Sequence, residues 1–198
     1  MSEDTLLGLS GIAILFTIVI LLTPGFISQF ALALSQNTTA TAPTNNFQTY
    51  SNPTFGIKMQ YPLNWLKQDL SSNSSSARLI VAFRSPGAQV GLLNIIAENV
   101  SSQNVTFAKF VSTNINNLKQ SGKILNLIAS TPVTLAGNPA HKIVYTTIAP
   151  QGIEFEAMQI FSLIGKKAYF ITYAVPSTNY ATYLPTIQTM INSVQINK

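Results

Sequence analysis

Large apolar residues occupy every second position in several stretches of the chain, which is the pattern of half-buried β-strands. The alternation is strict in Phe55–Tyr61, and Pro62 ends that stretch. Further strands are predicted at Leu79–Phe83, Leu92–Val100, Ile124–Ser130, Lys142–Ile148, Ile153–Leu163 and Ala168–Ala174. The pattern therefore predicts a sheet of six to seven strands.

Short turn-forming sequences connect the later strands. Ala149–Gly152 has the sequence Ala-Pro-Gln-Gly and Gly165–Lys167 has the sequence Gly-Lys-Lys, and both are of hairpin length. The later strands should therefore be antiparallel neighbours in one meandering sheet. A four-residue turn at Ala149–Gly152 would pair Ile148 with Ile153.

Two stretches carry apolar residues at helical spacing. The first runs from Phe107 to Leu118, with Thr106 as a candidate N-cap and Gly122 beyond its end. The second runs from Tyr180 to Val194, and Pro185 inside it predicts a kink or a new helical start. Because each apolar stripe needs a sheet face to cover, the predicted fold is α+β, an α/β/α sandwich with a central, mainly antiparallel sheet of six to seven strands.

The chain begins with a segment that is typical of membranes. Leu6–Leu22 is a run of seventeen residues without a charge, and a second apolar stretch extends to Leu34. A run of this length can span a bilayer, so residues 1–34 are predicted to be a membrane anchor that contacts lipid through residues 6–34. The alternative is a signal peptide cleaved near Ser35, because small residues precede that position. The following domain is predicted to be extracytoplasmic, either anchored or secreted.

A polar linker separates this segment from the folded part. Residues 35–46 contain no large apolar residue, and residues 47–198 have the usual length of one domain, which we expect to be monomeric. Asn-x-Ser/Thr sequons are acceptors for glycosylation in exported proteins. They occur at Asn37, Asn73, Asn99 and Asn104.

Composition narrows the classes of function. The chain has no cysteine, which excludes disulfides, cysteine nucleophiles and cysteine-ligated metals. From Gln36 onward eleven Lys and Arg face four Asp and Glu, a net charge of +7, but the basic residues are scattered, which argues against nucleic-acid binding. His141 is the only histidine, and neither a Gly-x-Ser-x-Gly elbow nor a glycine-rich phosphate loop occurs. We therefore do not predict an enzyme.

One pair of acidic residues is a candidate cation site. Glu154 and Glu156 flank Phe155, so on a strand their side chains should share one face about 7 Å apart. In the register given above Glu156 lies opposite Tyr145, about 13 Å from His141, which is too far for a shared ligand. Calcium takes six to eight oxygen ligands. We therefore expect weak calcium binding at most, and no other cofactor.

Trp65 is the only tryptophan and follows a strand that Pro62 ends. Its bulk is most simply explained by packing at an edge of the core. The alternative function is stacking against a ligand.

Local motifs spread over nearly the whole predicted domain occur in a fixed order. They are Phe47–Asn52, Phe55–Ile57, the Tyr-Pro-x-x-Trp turn at Tyr61–Trp65, Gly137–Ala140 leading into Ile143–Thr146, Thr172–Ala174, and Tyr183–Ser193. In this order they resemble the opening strands, the strand after the middle helix, the last strand and the terminal helix of the PsbP family.

The resemblance implies an antiparallel sheet between helical layers. The founding members of the family are extrinsic lumenal proteins of photosystem II that help to retain calcium and chloride at the oxygen-evolving centre. This chain has an apolar leader and few acidic residues, and it is more similar to the microbial, non-photosynthetic type.

Three functions are compatible with these features. The first is a membrane-tethered or exported, non-catalytic binding or assembly module that engages a protein partner or a small ligand. The second is a structural protein of the cell envelope, glycosylated at the sequons. The third is an enzyme of unrecognised type.

Overall fold

The described residues form ten strands and two α-helices. The structure is a computed structural model, and it describes residues 46–69, 78–86, 92–100, 105–122, 124–149 and 152–197. The helices are α1 (Phe107–Gln120) and α2 (Tyr180–Asn192), and a 3₁₀ turn at Ser177–Asn179 precedes α2. The strands are β1 (Phe47–Asn52), β2 (Ile57–Pro62), β3 (Leu66–Asp69), β4 (Arg78–Arg84), β5 (Leu92–Asn99), β6 (Ile124–Leu135), β7 (Asn138–Ile148), β8 (Glu154–Ile164), β9 (Lys167–Pro176) and β10 (Gln195–Ile196).

The strands form two antiparallel sheets. The large sheet has the order β3-β4-β5-β9-β8-β7-β6, and the small sheet has the order β1-β2-β10. The predicted α+β fold with an antiparallel sheet of up to seven strands is confirmed. The prediction that Phe55–Tyr61 belongs to the same meander is wrong, because β2 pairs with β1 and with β10 from the end of the chain. Between β2 and β3 the chain turns at Trp65, whose N–H donates to the Pro62 carbonyl over 2.9 Å.

The large sheet is buried on both faces. Successive side chains of a strand point to opposite faces, so each central strand contributes to two cores. The first core lies between the large sheet, α2 and the small sheet, and the second core lies between the other face and α1. The first core includes Met59, Trp65, Val81, Phe83, Ile95, Met158, Ile160, Tyr169, Ile171, Tyr173, Ile187 and Met190. The second includes Ile96, Phe110, Leu118, Ile143, Tyr145, Phe155, Phe161 and Phe170.

Helix α1 covers the second core. Its N-cap is Thr106, as predicted, with Oγ1 accepting a hydrogen bond from the Lys109 N–H over 3.3 Å. The Phe110 ring packs 5.9 Å from the Phe161 ring and 5.8 Å from the Phe170 ring, measured between centroids. The apolar stripe of the helix therefore meets β8 and β9.

Helix α2 covers part of the first core and is continuous through Pro185. Of the two predicted effects of Pro185, the new helical start is wrong, because the helix already begins at Tyr180 after the 3₁₀ turn, and the kink stays a prediction. A proline inside a helix removes one backbone hydrogen bond. Burial of Ile187 and Met190 in the first core offsets this cost.

Strand β6 is longer than the sequence pattern predicts. It continues past Ser130 to Leu135 and pairs with β7 through a tight turn at Ala136 and Gly137, where φ is 48° and 74°. Positive φ at both central residues is the conformation of a two-residue hairpin turn. Pro132 interrupts the apolar pattern but is tolerated, because β6 is the outer strand of the sheet.

The register between β7 and β8 differs by one residue from the prediction. Ile148 pairs with Glu154, and Glu156 pairs with Thr146 instead of Tyr145. The reason lies in the turn, where the Gly152 N–H donates to the Ala149 carbonyl and the Ala149 N–H donates to the Ile153 carbonyl, both over 2.9 Å. Gly152 has a positive φ of 78°, and Ala149 lies opposite Ile153, so the loop between the two strands is one residue shorter than the predicted four-residue turn.

Gly56 joins the small sheet to the end of the chain. The Asn197 N–H donates to the Gly56 carbonyl over 2.7 Å, and φ of Gly56 is 65°. A Cβ at this position would overlap the Asn197 carbonyl oxygen, whereas a Cβ at Gly165, with φ of 61°, would meet nothing within 4 Å.

We expect Gly56→Ala to destabilise the protein more than Gly165→Ala. The Gly165 variant should be destabilised only by the backbone strain of a left-handed alanine, about 1–2 kcal/mol. The Gly56 variant should be destabilised by this strain and also by the overlap of its Cβ with the Asn197 carbonyl oxygen. Urea unfolding of the full chain in mild detergent measures both, and equal losses would show that the approach of Asn197 is not important.

Trp65→Ala should lower the free energy of unfolding by about 3–5 kcal/mol, since Trp65 is 8% exposed and packs in the first core. The same urea titration measures this. A small loss of stability, combined with weaker partner binding, would instead assign Trp65 to recognition.

Candidate functional site

A polar cleft lies between the outer strand of the small sheet and the outer strand of the large sheet. Its volume is about 400 Å³. We call it the edge cleft, and its lining residues are Thr49, Tyr50, Ser51, Asn52, Tyr61, Lys67 and Asp69. Among the described strands, β1 pairs only with β2 and β3 pairs only with β4, so the cleft separates two free sheet edges.

The charges in the edge cleft balance. Lys67 and Asp69 lie two residues apart on β3, so they share a face, and their side chains form an ion pair. The Lys67 Nζ atom also lies 5.7 Å from the centroid of the Tyr50 ring, a distance at which a cation is attracted to an aromatic face. The cleft therefore offers donors and acceptors without a net charge.

Tyr50 forms the inner wall of the cleft. Its ring packs against Phe83 at 5.6 Å in an edge-to-face arrangement. Burial raises the pKa of its hydroxyl to about 12, the Asp69 carboxylate adds to this, and the nearby Asn52 side chain lowers it in part. The hydroxyl and the Asn52 side chain nevertheless lack the geometry of a hydrogen bond. Tyr50 is thus a neutral group at physiological pH.

Glu154 and Glu156 lie on the same face of β8, as the alternation predicts. That face belongs to the first core, and the Glu154 Oε1 atom accepts a hydrogen bond from the Ser177 hydroxyl over 3.1 Å. Burial and the Glu154 carboxylate raise the pKa of Glu156 above its ordinary value. Glu156 in turn adds to the effect of burial in raising the pKa of Tyr180 to about 12.

His141 lies on β7, and its side chain is on the face of the large sheet opposite to Glu154 and Glu156, against the second core. Its ring packs 5.7 Å from the Phe161 ring, and its Nε2 atom is 2.9 Å from the Ser130 hydroxyl. Burial lowers its pKa. The large sheet separates His141 from Glu154 and Glu156, so these three side chains do not converge. No group of three or more His, Asp or Glu in the described ranges could hold a metal ion.

The other sequence-predicted residues are placed as follows. Trp65 is buried in the first core, and the alternative function, stacking against a ligand, stays a prediction. Asn99 is exposed at the end of β5, whereas Asn37, Asn73 and Asn104 lie outside the described residues. The predicted anchor at residues 6–34 also lies outside them. Within the part that the structure describes, no helix is long and apolar enough to cross a membrane.

Exposed aliphatic side chains are a feature that the sequence did not indicate. Six large apolar residues in the described part are about half exposed, between 48% and 59%: Leu63, Leu66, Leu125, Ile128, Ile148 and Ile153. Two of them, Leu125 and Ile128, fall at irregularities in the pairing of β6 with β7. Such bulges re-aim side chains, and no local sequence signal marks them.

The edge cleft was also not predicted. Two of its residues, Lys67 and Asp69, belong to the short strand β3, which the alternation did not identify, and they form its ion pair. The cleft depends on the separation of the two sheets, which arises from pairing between β2 and the chain end.

Comparisons with known proteins agree with this architecture. Cyanobacterial PsbP (CyanoP) from Synechocystis sp. PCC 6803 superposes with a TM-score of 0.57 at 16% identity, over 81% of this chain and 98% of that chain. LpqN of Mycobacterium tuberculosis, described as involved in cell envelope biogenesis, superposes with a TM-score of 0.52 at 13% identity, over 78% of this chain and 93% of that chain. At these identities the likeness is one of fold.

A search with the full sequence matched no curated protein. The sequence does match the family described as PsbP-like protein over residues 11–196. This match includes both sheets and both helices, in the order that the local motifs predicted. The chain therefore belongs to the PsbP-like protein family.

Proposed function

We propose that this protein is a non-catalytic binding or assembly module that acts outside the cytoplasm. Residues 6–34 hold it at the membrane, or it is released after cleavage near Ser35. The observation that carries the binding role is the edge cleft, where two sheet edges leave polar main-chain groups and balanced side-chain charges open to a partner.

The edge cleft is suited to an extended segment of a protein partner. A free strand edge presents N–H and C=O groups that pair with an added strand. Thr49 and Ser51 point away from the first core and are exposed, so an added strand at β1 would meet no large side chain there. Lys67 and Asp69 on the facing strand offer one donor and one acceptor group.

The location outside the cytoplasm has support from two sources. The first is the export-like sequence of residues 1–34 followed by a polar linker. The second is the fold shared with LpqN, which is described as a cell-envelope protein. An accessory role in the cell envelope fits both, and it matches the non-catalytic character of the family that the sequence resembles.

Filling the edge cleft should abolish partner binding. Thr49→Arg places a long side chain at the exposed edge of β1 without touching the core, so stability should change little. Thr131→Arg makes the same change at an exposed position of β6 and serves as the matched control. The measurement is affinity purification of the full chain from detergent-solubilised membranes, with the bound proteins quantified.

The expected result is a stoichiometric partner that is retained by the wild-type chain and by Thr131→Arg but lost from Thr49→Arg. Equal retention by both variants would exclude the edge cleft. Absence of any stoichiometric partner would contradict the assembly role itself and favour a structural protein of the envelope.

Calcium retention does not follow from the residues of this chain. Glu154 and Glu156 share a face, but Glu154 is hydrogen-bonded to Ser177, and Glu156 is near enough to Tyr180 to raise the pKa of its hydroxyl. Two carboxylates fall short of the six to eight oxygen ligands that calcium takes. The pair therefore does not fit a tight calcium site.

We expect calcium to bind no more tightly than about 100 μM, and Glu154→Gln/Glu156→Gln to remove any weak binding. Isothermal calorimetry on the full chain in detergent, with the double variant as control, measures this. A stoichiometric isotherm in the micromolar range would overturn the expectation and would support a role in metal retention.

A further inference from the structure

The exposed aliphatic side chains lie toward one end of the large sheet. Four are at strand ends there (Leu66, Leu125, Ile148 and Ile153), Leu63 comes three residues before Leu66, and Ile128 is on the half of β6 nearer this end. The antiparallel register fixes this, because Leu66 pairs with Arg84 at the end of β4, and Ile148 pairs with Glu154 at the start of β8. Seven strand termini therefore meet at the same end of the sheet: the starts of β3, β5, β6 and β8 and the ends of β4, β7 and β9. We call it the aliphatic end. The hairpin turns at Gly137 and Gly165 lie at the opposite end.

The described chain also begins at the aliphatic end. The Leu63 N–H donates to the Asn46 carbonyl over 2.8 Å, so the first described residue is bonded to the backbone of one of the six exposed residues. The linker at residues 35–46 and the apolar segment at residues 6–34 precede it in the sequence. Even fully extended, a linker of this length reaches only about 40 Å.

We infer that the aliphatic end rests on the lipid bilayer, with its leucine and isoleucine side chains inserted into the interface. This inference rests on the membrane tether of the proposed function. A tether attached beside Leu63 brings this end, and not the Gly165 end, closest to the membrane. Insertion would remove from water the apolar surface that the fold leaves exposed.

The arrangement of the six side chains favours a planar partner over a compact one. Leu63 and Leu66 lie at the β3 corner, and the other four lie near β6, β7 and the start of β8. Six strand spacings of about 4.8 Å separate β3 from β6, or about 29 Å. A bilayer surface contacts both groups at once.

Charge does not drive this contact. Lys67 and Arg84 lie near the first group, and Glu154 and Glu156 lie near the second. The mixed signs predict that insertion depends little on anionic lipid. The polar edge cleft lies beside the first group, so a domain seated in this way would hold the cleft close to the membrane surface.

The absence of cysteine from the sequence makes a site-specific test direct. Leu66→Cys and Ile153→Cys place a unique thiol in each group, and Lys166→Cys and Asn99→Cys place one at the opposite end. Each full-length variant is labelled with an environment-sensitive fluorophore and reconstituted into phosphatidylcholine vesicles, with or without anionic lipid. Nitroxide-bearing lipids then quench any label that lies in the bilayer.

We expect the labels at Leu66 and Ile153 to show blue-shifted emission and nitroxide quenching, and the labels at Lys166 and Asn99 to show neither. The emission shift and the quenching should be the same with and without anionic lipid. If the chain floats with the vesicles but the labels at all four positions show aqueous emission, the inference is overturned and the tether is not. A chain that does not float would refute the tether itself. A blue shift without nitroxide quenching would assign the aliphatic end to protein contact and also overturn the inference.

Discussion

Burial of the large sheet on both faces is the constraint on which the other elements depend. Each residue of β9 from Ala168 to Val175 is buried, and neighbouring side chains point to opposite faces. Two separate covers are therefore required. Helix α1 supplies one with Phe110 and Leu118. Helix α2 and the small sheet together supply the other, because α2 alone leaves the β3 side of the first core open.

The second cover depends on the last residues of the chain. Strand β10 pairs with β2, and the Ser193 hydroxyl accepts a hydrogen bond from the Gln60 N–H over 2.8 Å. Helix α2 must therefore cross from the end of β9 to the small sheet. Since β2 is occupied on one side by β10 and on the other by β1, β1 has a free edge, and its residues line the edge cleft together with those of β3. The edge cleft is thus a consequence of how the first core is closed.

Much of this architecture was predictable because its signals are local. The alternation of apolar and polar residues predicted the central strands. The helical spacing of apolar residues around Phe110, with Thr106 as N-cap, predicted α1. The opening strand β1 was indicated only by the family resemblance. The register between β7 and β8 was not predicted correctly, because it depends on the length of the turn that Gly152 closes, and a change of one residue shifts the pairing.

The features that matter most for binding depend on long-range pairing. Separation of the two sheets follows from contacts between Lys58 and Gln195, which lie far apart in the sequence. The short strand β3 has no apolar alternation, since Lys67, Gln68 and Asp69 follow Leu66. The exposed positions of Leu125 and Ile128 follow from irregular pairing at an outer strand. Sequence periodicity contains none of this information.

The same topology also determines what the few ionisable side chains can do. His141 faces the second core, whereas Glu154 and Glu156 face the first, so the strand parity that builds two cores also keeps these groups apart. Lys67 and Asp69 neutralise each other at the edge cleft. Among the described residues, a polar strand edge near one corner of the domain and aliphatic side chains at the same end are open to solvent. Under the proposed function and the inferred seating on the bilayer, hydrogen bonds at the cleft would give specificity for the partner, and apolar contact would orient the domain on the membrane.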